Sequence, residues 1–118
     1  MTLTFPMWFD DHKRLLGDIL HTLPGDIDWR MTWFDGSVLP GQELPPVDMP
    51  INLMLSTPDL LALARNLTDL NEVVLVGSVG GVDFQIEGQD STRWVITCPS
   101  EIAVSAESWF QAFSPVRS

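Results

Sequence analysis

From Val73 to Thr97 the chain reads as three short β-rich segments separated by turn residues. Val82, Phe84 and Ile86 alternate with Asp83, Gln85 and Glu87, the period of two that marks a strand with one buried face. A two-residue loop at Gly80-Gly81 predicts Val79 opposite Val82, Gly77 opposite Phe84 and Leu75 opposite Ile86. Phe84 then lies across a bare glycine. A three-residue loop at Gly88-Gln89-Asp90 sets Trp94 opposite Phe84 and Ile96 opposite Val82. A four-residue loop would put Arg93 against Ile86, so the hydrophobic pattern selects the odd loop. The other face of this meander carries Val74, Val76, Ser78, Asp83, Gln85 and Glu87, apolar on the first strand and polar on the second.

Upstream, residues 5–23 read as one amphipathic helix. Phe5, Trp8, Phe9, Leu15, Leu16, Ile19, Leu20 and Leu23 recur at helical spacing. Asp10 and Asp11 fall near its N-terminal end, His21 in its last turn, and Pro24-Gly25 ends it. Ile27, Trp29, Met31 and Trp33 then point one way, with Asp28, Arg30 and Thr32 the other. Asp35-Gly36 is a turn signal, and a returning strand can start at Val38-Leu39 before Pro40 stops it. The four prolines Pro40, Pro45, Pro46 and Pro50 predict a stiff, exposed, acidic loop. Ile51 to Leu55 is a short apolar strand. The helix after it has Ser56 as cap, Pro58 early, and Leu60, Leu61, Leu63, Ala64 and Leu67 along its length. For residues 100–105 strand and helix both stay open. Beyond them Ala106, Trp109, Phe110 and Phe113 predict a helix that Ser114-Pro115 terminates. The sum is a single α+β domain over 1–118, a mostly antiparallel sheet of four to six strands packed by two to three helices.

Composition adds bounds to this pattern. A chain of 118 residues with 45% hydrophobic content can build a core without metal or disulfide staples. No apolar run reaches the roughly 18 residues of a membrane span. The N-terminus lacks a basic start and cleavage site, and Cys98 is the single cysteine, so the expected compartment is a reducing cytoplasm. Sixteen acids against six bases give a net charge of −10. Between Met31 and Thr92 the single base is Arg65, while Glu43, Asp48, Asp83, Glu87 and Asp90 are among the acids. Such a field serves solubility, repels nucleic acid and anionic headgroups, and attracts a basic protein.

No residue pattern in the chain matches a catalytic or metal site. On one helix, His12 and His21 would be nine residues apart and project from opposite sides, and Cys98 has no thiol partner. Gly77-Ser78-Val79-Gly80 resembles part of a nucleophile elbow, but Val76 stands where its first glycine belongs and a hairpin follows. Asp26 and Asp28 share a strand face without the further ligands of a calcium loop. All five tryptophans fall on expected core faces, with no bases between them to make a base-stacking surface. The expectation is a protein without enzyme activity, cofactor or metal.

In size, charge, α+β pattern and acid-studded surface, the chain resembles small bacterial immunity proteins that neutralise the toxic domains of polymorphic or contact-dependent toxins. That resemblance implies an acidic inhibitor of a basic toxin domain, such as a nuclease whose cationic cleft accepts carboxylates in place of phosphates. No family motif is matched, so the expected partner-binding residues come from the chain's own acids: Asp83, Gln85, Glu87, Asp90, Glu43 and Asp48. The chain also resembles type III secretion chaperones, which are small and acidic with a helix first and a helix last. Its proline loop and Gly-Gly hairpin depart from that family. A small adaptor of another partner is the remaining non-enzymatic alternative.

Overall fold

The computed structural model describes residues 1–113, Phe9 by its backbone alone, and the backbone of Val116–Arg117. The chain opens on a strand. In β1 (Thr2–Pro6), buried Leu3 and Phe5 alternate with Thr2 and Thr4, and buried Met7 continues the rhythm. β2 (Trp8–Phe9) and β3 (His12–Lys13) then form a hairpin around Asp10 and Asp11, at φ 48° and 63°. Positive φ at both positions is what a tight type I′ turn needs, and aspartate enters that region more readily than most side chains. Only afterwards comes α1 (Leu16–Leu20), with Leu16, Ile19 and Leu20 buried. The expected helix over 5–23 is therefore corrected. Its stripe is real from Leu16 onward, whereas Leu3, Phe5 and Met7 keep the period of two.

β4 (Asp28–Val38) buries Trp29 and Met31, and Ile27 just before it is buried too, as the alternation requires. A register shift between Met31 and Trp33 then turns the pattern over, so Phe34 enters the core in place of Trp33. The strand also runs straight through Asp35-Gly36, where a turn is expected from sequence. Gly36 answers a close approach: a Cβ there would stand 2.6 Å from the Asp69 carbonyl oxygen. Residues 39–52 form no regular element. This proline-rich segment returns beside β4, where the Asp48 N–H donates to the Phe34 carbonyl at 2.9 Å and the Ile51 N–H to that of Thr32 at 3.1 Å.

β5 (Leu53–Ser56) leads directly into α2 (Thr57–Asn66). The Ser56 hydroxyl accepts from the Asp59 N–H at 3.2 Å, the expected cap. β6 (Leu67–Val79) starts where α2 stops, so Leu67 belongs to the strand. β7 (Val82–Gln89) and β8 (Arg93–Thr97) complete the meander. A 3₁₀ turn at Ser100–Ile102, α3 (Ala103–Trp109) and a second 3₁₀ turn at Gln111–Phe113 follow, so residues 100–105 are helical. The expected stop at Ser114-Pro115 lies outside the described residues. The short β9 (Val116–Arg117) pairs with β1.

The sheet order is β5-β4-β6-β7-β8-β1-β9, with antiparallel neighbours throughout. The class is α+β, as the pattern predicts. β6 and β7 pair in the expected register, with Gly80 and Gly81 at φ 57° and 78° in the loop. β7 and β8 do not. Ile96 stands opposite Ile86 and Trp94 opposite Gly88, so the loop is Asp90-Ser91-Thr92. It keeps the odd length, and hence the facing, but β7 extends two residues further. The reason is Gly88, where a Cβ would lie 3.1 Å from the Trp94 ring: the indole takes the space that a side chain would fill. Asp90 and Ser91 then accept the turn at φ 50° and 56°.

One face of the sheet carries the core. Trp29, Met31, Leu75, Phe84, Ile86 and Trp94 join one core cluster with Leu16 and Ile19 of α1, Leu60 of α2, Ala106 of α3 and Phe110 just after it. Each large side chain buried this way contributes roughly 1.5–3 kcal/mol. The three α-helices described all pack into that one cluster, leaving the opposite face free of helix among the described residues. Among those residues no helix is long and apolar enough to cross a membrane.

Candidate partner-binding face

Alternation along β7 sends Phe84 and Ile86 into the core and Asp83, Gln85 and Glu87 out of the other side. Register then fixes their neighbours. Asp83 lies opposite Ser78, which lies opposite Asp28; Gln85 lies opposite Val76 and Thr97; Glu87 lies opposite Val74 and Val95. Arg30 pairs with Val76, and Trp33 with Val74. The helix-free face thus has a half-buried centre of Val74, Val76, Val95 and Trp33, with acids set among these side chains. A shallow hollow of about 380 Å³ opens at its Asp83 and Gln85 end, walled by Val76, Thr97 and Pro99.

A second group of acids gathers where β6 meets the β7–β8 loop. The Glu72 carboxyl is held above the usual carboxylate range, first by its hydrogen bond with Asp90, then by burial and the charges of Asp90, Asp35 and Asp48. The Asn71 amide donates to Asp35 at 3.0 Å. Asp90 and Asp48, both expected at the site, therefore join Glu72 and Asp35, which were not. Glu72 was within reach of the alternation, since it is two residues from Val74. Asp35 was hidden by the turn assigned to it. Glu43 is not brought to this face; it lines a separate hollow between the proline-rich segment, β5 and α2.

Arg30 and Arg93 are the bases whose positions fall on this side, and the Arg93 guanidinium donates to the Gln89 side chain at 2.6 Å. Against them stand Asp28, Asp35, Asp48, Glu72, Asp83, Glu87 and Asp90, so the face projects a negative field.

The other chemistry-bearing residues are dispersed. His12 sits in β3 and His21 at the end of α1, so the shared helix assumed for them does not exist. Among the described residues no three His, Cys, Asp or Glu side chains group to hold a metal ion. Ser78 is a strand residue beside the Gly-Gly turn. Burial pushes the Cys98 thiol up; the N-terminal ammonium pulls the other way, and Glu107 adds to the rise. Such a thiol stays protonated and is a poor nucleophile. Trp29 and Trp94 are core residues and Trp109 packs against Phe84, but Trp8 is 52% exposed and Trp33 lies on the open face. The placing of all five tryptophans on core faces is corrected accordingly. Comparison with protein-family models, curated proteins and solved structures finds no match to this chain.

Proposed function

We propose that the protein is a non-enzymatic binding protein whose helix-free sheet face captures a basic partner. In this reading it acts as a cytoplasmic immunity protein that neutralises a bacterial toxin domain. The observation that carries it is the alignment of Asp83, Gln85 and Glu87 on that face, continuous with the acids around Glu72. The acids steer a cationic surface into encounter, and the valines between them give a centre that can be desolvated once docked. A nuclease cleft built for phosphates would accept such a row of carboxylates. The chaperone resemblance rested partly on a helix at the start, and β1 occupies that place.

The test is retention and rate. Immobilised protein is expected to retain a basic protein from extracts of its source cells, with association slowing at least tenfold from low salt to about 0.5 M. The double variant Asp83→Lys, Glu87→Lys is expected to bind about 100-fold more weakly while folding normally. Association that ignores both salt and the reversal would remove this face from the interface.

A further inference from the structure

On the helix side of the sheet, away from the acidic face, a cavity of about 250 Å³ lies between the β2–β3 hairpin, α1 and the α2–β6 junction. Met7, Leu16, Leu67, Leu70 and Trp94 form its apolar walls. Trp8 and Leu15, 52% and 58% exposed, stand at its rim. One cation faces it. Lys13 is the only lysine in the chain, and its side chain is 19% exposed. Its ammonium donates to the Leu70 carbonyl at 3.3 Å and the Ser91 hydroxyl at 3.0 Å, and lies 5.7 Å from the Trp8 ring centre.

Both oxygens that Lys13 bonds are neutral. The Asp69 carboxylate stands 3.9 Å away, 67% exposed, and accepts from its neighbour's N–H instead. An ammonium has three donors, and two are spent here on fixing its position. A largely buried ammonium with one donor left over therefore lines a cavity that Thr68 and Asp69 also border, and it has no hydrogen-bonded anion among the described residues. An incoming carboxylate would gain a charge-assisted hydrogen bond in a partly dehydrated setting. A cavity of about 250 Å³ is far larger than the roughly 10–15 Å³ that one water needs, and it is of the size that takes a small organic acid. Any anion here shares Lys13 with Asp69, and a phosphate dianion fits less well than a monoanionic carboxylate: it brings a second charge to one cation and leaves the apolar walls unused.

We propose that this groove binds a small amphiphilic carboxylate, its acid group on Lys13 and its tail between Leu16, Leu67 and Trp94. The site uses none of Asp83, Gln85 and Glu87. Octanoate and octanol, titrated calorimetrically into the full chain, provide the probes. Octanoate is expected to bind with a Kd on the order of 0.1 mM, at least about fivefold tighter than octanol. Lys13→Met should abolish that preference while leaving octanol binding in place. Because Lys13 also ties the hairpin to β6, Leu15→Glu at the exposed rim is the second variant. Its carboxylate competes for the ammonium and should weaken octanoate about tenfold with an unchanged circular dichroism spectrum. The double reversal at Asp83 and Glu87 should bind octanoate normally, so failure here and failure of the partner face are read separately. No saturable octanoate binding, equal binding of octanol, or a preference surviving both groove variants would each overturn the proposal.

Discussion

Gly77 lies under two rings. A Cβ at that position would stand 2.8 Å from atoms of Phe84 and of Trp29, inside any permissible contact. Gly77→Ala is therefore expected to lower unfolding free energy by about 1–3 kcal/mol, the usual cost of overpacking, as read from urea denaturation. An unchanged midpoint would mean that the rings move aside without loss. Thr57 is the second sensitive residue. Its buried hydroxyl accepts from the Trp29 indole at 3.1 Å and donates to the Ile27 carbonyl at 2.7 Å. Thr57→Val leaves both groups unpaired, with an expected cost of about 1–3 kcal/mol, while Thr57→Ser keeps the bonds and most of the stability. These two residues differ in how they could have been found. Gly77 opposite Phe84 follows from a hairpin of adjacent residues. Thr57 on Trp29 requires knowing that α2 packs over β4.

At the scale of elements, the same division explains where the sequence pattern succeeded. The β6–β7 hairpin, the Ser56 cap and the outward row Asp83, Gln85, Glu87 rest on local alternation or local turn chemistry, and all were legible. The N-terminal segment was not. Phe5, Trp8 and Phe9 fit a helical period by coincidence, and the choice was settled by β1 pairing with β8 at the far end of the chain. The bulge that expels Trp33 and the slide that seats Trp94 on Gly88 are likewise consequences of packing. The Lys13 groove, drawn from six elements, left no signal at all in sequence. The β2–β3 hairpin offers a direct check on the revised start. Asp10 and Asp11 hold positive φ without being glycine. Asp11→Gly is expected to raise stability by about 0.5–1 kcal/mol, the relieved strain exceeding the entropy that glycine adds to the unfolded chain. The helical alternative predicts the reverse, since a glycine inside a helix costs about 1 kcal/mol. Thermal unfolding of the one variant thus separates the two readings by sign.

At the scale of the whole molecule the charge is −10, and Glu72 is a carboxyl whose hold on its proton is raised by its surroundings. Hydrogen bonding with Asp90, burial, and the neighbouring charges of Asp90, Asp35 and Asp48 raise that carboxyl above its usual 4.5. A group that holds its proton more tightly in the folded chain than in the unfolded one favours folding when protonated. Its contribution is fully present below the unfolded value and is lost as pH rises through the raised one. At neutral pH this corner therefore opposes folding, and at acid pH it does not. Glu72→Gln should raise the urea midpoint at pH 7 and leave it nearly unchanged at pH 3, where the wild-type side chain is already neutral. Added salt should narrow the neutral-pH difference by screening Asp35 and Asp48. A gain of equal size at both pH values would assign the effect to packing instead of charge. On the proposed function, the same linkage reaches the partner. A basic surface docked here favours the ionised form, so binding should release a proton from Glu72 and weaken as pH falls into the range where that carboxyl is protonated. In Glu72→Gln the part of this pH dependence due to Glu72 should vanish. A pH dependence identical in the variant would place the partner elsewhere on the molecule.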